Sequence, residues 1–347
     1  MPRLARWRRT AVTVAIAAAA ASVAVAAPAA AVPAAAGSPN VGSCTPTLAP
    51  GTSQLNVVSQ GGTYSVRVHT PPTARGTKLP LVLDLHGSNN NSTIQSMVSG
   101  LDALADEKGF IVVEPNGAVD YGIVPGIGQA YAWNVPGVPT TANAYPAPGT
   151  RDDVQFLVDV IAQVGAAGCV DANRVYATGN SGGARMASAL ACAEPKLIAA
   201  IAPVSGLRAG RPDPAAPSTI DTATCDPQHP VPVVTFHGTA DPINPYQGNA
   251  LDPRWGYTVL DAAERWADID HCTASATATP VSAHVTRTSW TSCRAGGAVE
   301  VYTVAGAGHT WPGSLVPMGD FGMGSMTTEI SASAIMWDFF AAHPRRG

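Results

Sequence analysis

The run Gly179-Asn180-Ser181-Gly182-Gly183 has the form G-x-S-x-G. Alone the pattern is weak, and its setting gives it meaning. Arg174–Thr178 (RVYAT) reads as a strand directly before it, and Ala184–Cys192 as a helix directly after it. A serine on such a strand-to-helix turn is held in a strained backbone that lifts its hydroxyl clear of the sheet. The flanking glycines let strand and helix close on each other. A phosphate-binding turn fits less well, because there is no G-x-x-x-x-G-K and the turn carries no Lys. A serine hydroxyl is a poor nucleophile at neutral pH, so a base must take its proton.

On this kind of scaffold the partners follow the serine in the order acid, then histidine. The histidines that qualify are His229, His237, His271, His284, His309 and His343. His309 is selected because it follows the apolar stretch Val299–Val304 and the loop Gly306-Ala307-Gly308. Thr310-Trp311-Pro312-Gly313 comes after it. His237 also follows a strand, but it leaves no room for an acid upstream. Asp241, just beyond the apolar stretch Val231–Phe236, is the expected acid, placed to accept the imidazole N–H and fix its tautomer. Asp221, Asp226 and Asp252 sit in polar loops with no strand before them, and Asp261, Asp268 and Asp270 lie in or beside a helix. Acyl chemistry also needs donors for a developing oxyanion. The amide after the nucleophile, Gly182, is one. The loop after Leu79–Leu85 supplies the other, expected at Ser88 with Asn89 as the alternative, and His86 is expected to brace that loop.

The elements that must position these groups are legible in outline. Leu55–Gln60 and Thr63–His69 flank Gly61-Gly62 as a hairpin. Leu79–Leu85 and Phe110–Glu114 read as buried strands, with a helix over Ile94–Lys108 between them. The stretch from 115 to 150, rich in Gly and Pro, reads as loop, and Asp152–Ala166 as an amphipathic helix. Leu197–Val204 reads as a helix end running into a strand, Val231–Phe236 as a strand and Thr258–Ile269 as a helix. Val285–Thr291 and Val299–Val304 are expected to pair, and Met326–Ala342 to form a last helix. Short apolar strands alternating with helices predict an α/β fold with a mostly parallel central sheet and helices on both faces.

Composition narrows the class. Hydrophobic residues make up 46% of the 347, which excludes a disordered chain, and no triplet repeat suggests collagen. Charged residues are only 13%, yet beyond the N-terminal region no apolar run is long enough to span a bilayer. No basic cluster lies outside the N-terminus, so nucleic acid is not an expected partner. Arg3, Arg6, Arg8 and Arg9 precede an Ala/Val run over 10–27 and then Ala34-Ala35-Ala36. That is the pattern of an export signal cleaved near Ala36. Removing residues 1–36 deletes four Arg and no acid, taking the formal net charge from -4 to -8. Residues 37–347 are then expected to form one domain, secreted, monomeric and without a stable membrane anchor. The six cysteines, Cys44, Cys169, Cys192, Cys225, Cys272 and Cys293, are an even number in an exported chain. They suggest three disulfides, for which about 15 connectivities are open. No pair has C-x-x-C spacing, which argues against a zinc or thioredoxin-like centre, and no cofactor or metal is expected.

Taken together the motifs resemble a known group. LVLDLHG (81–87), EPNG (114–117), AWN (132–134), DDVQF (152–156) and VDANRVYATGNSGGARM (170–186) are similar to those of secreted α/β-hydrolase esterases. VPVVTFHGTADPINPYQG (231–248) and GAGHTWPG (306–313) add to the likeness. That group includes polyhydroxybutyrate depolymerases, feruloyl esterases and acetylxylan esterases, and is like carbohydrate esterase family one. The resemblance implies Ser181, Asp241 and His309 as a catalytic triad. It also implies disulfides Cys272–Cys293 and Cys192–Cys225, leaving Cys44 with Cys169. One departure is Ala307, where the group has a Gly-rich run.

A serine esterase hydrolysing feruloyl or acetyl esters of plant cell-wall polysaccharide is therefore expected. A polyhydroxybutyrate depolymerase or oligomer hydrolase is the alternative, and an acyltransferase on the same scaffold a more distant one. A non-catalytic protein on the same fold is disfavoured by the intact triad residues. Only about 30 residues follow the His309 loop, too few for a polymer-anchoring module, so soluble or hydrated esters are expected over crystalline polyester. Trp133, Asn134, Tyr246 and Trp311 are the residues expected to line the substrate cleft.

Overall fold

The computed structural model describes residues 45–73 and 76–345, so the segment read as an export signal and Cys44 lie outside the described residues. Strands β1 (Gly51–Ser59) and β2 (Gly62–Thr70) form a regular antiparallel hairpin. It turns at Gln60-Gly61, both at positive φ (50° and 80°), the geometry that matches the twist of a two-residue hairpin. β3 (Leu79–Leu85) is buried along its whole length. Leu81, Leu83 and Leu85 face one core and Val82 the other, which is why the strand reads as a continuous apolar run.

The helix expected over Ile94–Lys108 is two helices, α1 (Ser92–Ser99) and α2 (Leu101–Lys108). Gly100, at φ 63°, ends the first in a left-handed cap and starts the second. β4 (Ile111–Glu114) follows. The stretch read as loop contains β5 (Val119–Val124) and β6 (Gly128–Ala132), a separate two-stranded sheet. Its strands are half exposed and interrupted by glycine, so they carry no clean apolar alternation. α3 (Asp153–Gly168) is capped by Asp152, whose side chain accepts from the amides of Val154 and Gln155.

β7 (Val170–Asn180), α4 (Gly182–Ala193), β8 (Ala200–Val204) and β9 (Val233–Gly238) carry the chain through the middle of the sheet. α5 (Val259–Ile269) opens with a capping box between Thr258 and Asp261. β10 (Thr277–Pro280) is a fully exposed edge strand, and its TATP sequence carries no apolar alternation that would mark it. β11 (Val285–Trp290) and β12 (Val299–Val304) pair antiparallel, as expected. The last helix, α6 (Ala332–Ala342), starts later than Met326, because the Ser331 side chain caps it at the Ala334 amide.

The ten strands of the main sheet lie in the order β1-β2-β4-β3-β7-β8-β9-β12-β11-β10. From β4 to β12 every pairing is parallel, and only the two margins are antiparallel. Helices α3, α4 and α5 pack on one face around Phe156, Met186, Leu190 and Trp266. α1, α2 and α6 pack on the other, where Tyr176 stacks on Phe340 and Phe110 on Trp337, with ring centroids 4.5 and 4.2 Å apart. The described residues all fall in one compact unit spanning 43–347. Cys192–Cys225 and Cys272–Cys293 are disulfides, and Cys169 is also disulfide-bonded.

Candidate active site

Parallel strands present their C-terminal ends to one edge of the sheet, where α/β folds place their sites. Ser88 follows β3, Ser181 follows β7, Asp241 follows β9 and His309 follows β12. Four loops distant in sequence therefore meet at one edge.

Ser181 occupies the turn between β7 and α4 at φ 55°, ψ −111°, a conformation that L-residues rarely adopt. The packing around it forces that geometry. A Cβ on Gly183 would lie 1.9 Å from the Leu85 carbonyl oxygen, and one on Gly179 2.5 Å from the same atom. Only glycines allow α4 to close so tightly over the end of β3. The Ser181 amide donates to the Val204 carbonyl on β8 (2.9 Å), and its carbonyl accepts from Arg185 in α4 (3.1 Å). The turn is thus tied to both its neighbours, with the side chain left free.

Asp241 is buried and fully engaged. Its Oδ1 accepts from the amides of Ile243 (2.8 Å) and Asn244 (2.7 Å), and its Oδ2 accepts from His309 Nδ1 at 2.7 Å. A carboxylate can only accept, so Nδ1 carries a proton and the Nε2 of a neutral His309 is left as the basic nitrogen. His237 Nε2 lies 3.3 Å from the same Oδ2 while it donates to the Asn244 carbonyl at 2.8 Å. Burial opposes ionisation of Asp241. The bonds from His237 and His309 outweigh it and hold the carboxyl well below the usual carboxylate range.

The loop bearing His309 is fixed by its backbone. The His309 amide donates to the Met323 carbonyl (2.6 Å) and the Gly308 amide to that of Ser325 (2.8 Å). Ala307, the departure from a Gly-rich run, is buried, and its carbonyl accepts from the Ala240 amide at 2.9 Å. It therefore ties the His309 loop to the Asp241 loop.

The amides of Gly182 and Ser88 converge. A Cβ built on Gly182 would lie 3.1 Å from the Ser88 nitrogen. Among the described residues neither amide has an acceptor, so both are available to an incoming oxygen. The Ser88 loop is braced by His86, whose Nδ1 donates to the Gly87 carbonyl (2.8 Å) and whose Nε2 accepts from the Gly117 amide (3.0 Å). Burial pushes this imidazole down to about 4, so it stays neutral.

Of the four residues expected to line a cleft, Trp133, Tyr246 and Trp311 are buried and Asn134 is half-buried. Trp133 is buried, stacked on His86 and bonded through Nε1 to the His86 carbonyl at 2.8 Å. It supports the Ser88 loop from behind. Trp311 is fully buried in the α6-side core with its indole N–H on Ser333 Oγ (3.0 Å). Tyr246 is buried against His237 with its hydroxyl on Thr303 (2.9 Å). Asn134 is half-buried and bonded to the Arg151 carbonyl and the Asp153 carboxylate (2.9 and 2.8 Å). Trp133, Trp311 and Tyr246 have their polar side-chain atoms engaged internally, which is a packing role. Three participants did not stand out in the sequence. They are Asn244, which clamps Asp241, and two buried arginines, Arg185 and Arg208. The position of Arg185, four residues after Ser181, is the signal that could have pointed to it.

The sheet order, the serine turn and the Asp–His pair at one edge define an α/β-hydrolase fold, and the protein is a carboxylic ester hydrolase. The chain belongs to the family described as esterase PHB depolymerase, which matches residues 64–289. It is 29% identical over 307 residues to a protein of Nocardia uniformis subsp. tsuyamanensis named "Putative esterase NocK", covering 83% of this chain and 82% of that one. It is 29% identical over 172 residues to feruloyl esterase B of Piromyces equi, covering 48% of this chain but only 30% of that protein. Among solved structures, an acetyl xylan esterase from Aspergillus awamori superposes with a TM-score of 0.52 at 15% identity. That likeness, over 78% of this chain and 98% of the other, concerns the fold.

Proposed function

We propose that this ester hydrolase is a secreted serine esterase working through an acyl-enzyme. His309 Nε2 takes the proton of Ser181 Oγ as the oxygen attacks an ester carbonyl carbon. The amides of Gly182 and Ser88 hold the resulting oxyanion. His309 then gives the proton to the leaving alcohol, and a water molecule repeats the sequence to free the acid. Asp241 holds the tautomer and stabilises the transient imidazolium. The observation that carries this reading is the 2.7 Å bond from His309 to Asp241 at the same sheet edge as a serine at φ 55°.

The substrates proposed are feruloyl or acetyl esters of plant cell-wall polysaccharide, supported by the likeness to the Piromyces feruloyl esterase. Esters of hydroxybutyrate oligomers are the second reading, favoured by the family match over 64–289. Export through residues 1–36 with one catalytic domain over 37–347 is supported by the disulfides, which persist in oxidising compartments. Release of product from methyl ferulate, acetylated xylan and hydroxybutyrate oligomers, measured side by side, ranks the substrates. Labelling by a fluorophosphonate at Ser181 tests the mechanism. Hydrolysis without labelling would remove the serine from it.

A further inference from the structure

Alongside α4, from Arg185 to its C-terminal end, lies a cavity of about 280 Å³, walled by Val135, Ala189 and the Cys192–Cys225 disulfide. Two arginines reach it, Arg185 from α4 and Arg208 from the segment after β8. They are only 4% and 5% exposed. Buried guanidinium groups are normally paired with carboxylates or carbonyls, because an unpaired charge loses its hydration without replacement. Here Nε and Nη1 of Arg185, and all three nitrogens of Arg208, are buried without a carboxylate or carbonyl acceptor among the described residues.

The surroundings do not supply the missing charge. Asp226 lines the cavity but is paired with Arg265 at 3.1 Å. Arg211, also on the wall, is paired with Asp221 at 3.0 Å. Asp252, the acid acting on both buried arginines, is bound to Arg254 at 2.7 Å. Arg208 lies against the rings of Trp255 and Tyr257, 4.5 Å from each centroid. Rings on the faces of a guanidinium leave bonding to its edge, the edge that captures a carboxylate bidentately, and there Arg208 has the Tyr257 hydroxyl as a hydrogen-bonding neighbour but no carboxylate. Burial, then the charge of Arg208, pushes Arg185 down to about 9, still cationic at neutral pH.

The cavity is connected to the chemistry through Arg185. Its Nη2 lies 3.6 Å from where a Cβ on Gly182 would stand, beside the nucleophile and the proposed oxyanion donor. We propose that Arg185 and Arg208 form an anion subsite that receives a carboxylate carried by the ester substrate. This deepens the serine-esterase reading and rests on it. The carboxylate can belong to the acyl part, as in a monoester of a dicarboxylic acid, or to the alcohol part, as in an ester of a hydroxy acid. The chemistry of capture is the same for both.

The test compares kcat/KM of the full-length protein on two matched pairs. One is p-nitrophenyl hydrogen glutarate against its methyl ester. The other is the butyrate ester of 3-hydroxybutyrate against its methyl ester. The anionic member of at least one pair should be favoured by about tenfold to a hundredfold, the scale of one or two charge-assisted hydrogen bonds. Which pair shows it identifies the side bearing the carboxylate. In Arg208→Met the ratio should collapse toward one, and Arg208→Lys should restore part of it. Should Arg208→Met not fold, the wild-type protein still decides. Glutarate should inhibit hydrolysis of p-nitrophenyl butyrate, and dimethyl glutarate should inhibit it far less. Ratios near one in both wild-type pairs overturn the subsite while leaving the esterase intact. Failure of the esterase reading shows separately, as no hydrolysis of any ester and no fluorophosphonate labelling. In that case a melting temperature unmoved by glutarate overturns the anion site as well.

Discussion

Gly183 and the Leu85 carbonyl oxygen are so closely packed that a Cβ on Gly183 would lie 1.9 Å from that oxygen. This contact locks the Ser181 turn onto the strand that leads to the Ser88 loop. Gly183→Ala should therefore destabilise the fold by at least about 3 kcal/mol, since backbone cannot yield as a side chain does. Urea denaturation measures it. A variant of near wild-type stability would show that α4 can slide away from β3.

Ser181→Ala should keep the fold, abolish fluorophosphonate labelling and lower kcat by roughly 10⁴–10⁶. It retains the backbone strain of φ 55°, ψ −111°, which Ser181→Gly should relieve. The glycine variant is expected to be more stable than the alanine variant by about 1 kcal/mol, at the lower end of such strain. Calorimetry of the two inactive proteins separates the strain from the chemistry.

Asp241→Asn should cost on the order of 10⁴ in kcat, because an amide facing His309 Nδ1 favours the wrong tautomer. The same change at Asp221, an acid paired with Arg211, should cost less than about tenfold. If Asp221→Asn proved as damaging as Asp241→Asn, the assignment of the acid would fall.

The disulfides close loops of 33 residues (Cys192–Cys225) and 21 residues (Cys272–Cys293). Loop-closure entropy assigns each about 3–4 kcal/mol. Reductant should lower the melting temperature accordingly. Peptide mapping without reduction should recover both pairs, and free thiols at either would contradict the structure.

Asp270 is pushed up to about 7 by burial, against the bonds from the Val231 and Ala298 amides. An unfolded aspartate titrates near 3.9. Between those values the folded chain holds a proton that the unfolded chain has lost. The contribution of this group is thus full below pH 4 and declines as pH rises through about 7, by on the order of 1 kcal/mol per pH unit. Asp270→Asn should flatten this part of the stability–pH curve, because an amide does not titrate. Chemical denaturation from pH 4 to 8 reads the difference.

The sequence alone was enough to put Ser181, Asp241 and His309 just after strands that end at one edge of the sheet, because each position rests on a local signal. An apolar strand followed by a short glycine-bearing loop marks the C-terminal edge of a parallel sheet, and G-x-S-x-G marks the turn that crosses it. β3 and β9 were legible for the same reason, being mostly apolar runs buried along their whole length, and β12 was legible by the valines at 299, 301 and 304. The break at Gly100, the exposed strand β10 and the small β5–β6 sheet were not, since glycine and solvent exposure erase periodicity. The roles of the aromatics were decided only by tertiary packing. Nothing local distinguishes a Trp133 that lines a cleft from one that stacks on His86, because the difference is what the chain brings against each face of the ring. The Arg185–Arg208 pair is tertiary in the same sense. Two arginines 23 residues apart read as surface charges, and only the folded structure shows them buried together with no carboxylate bonded to them among the described residues.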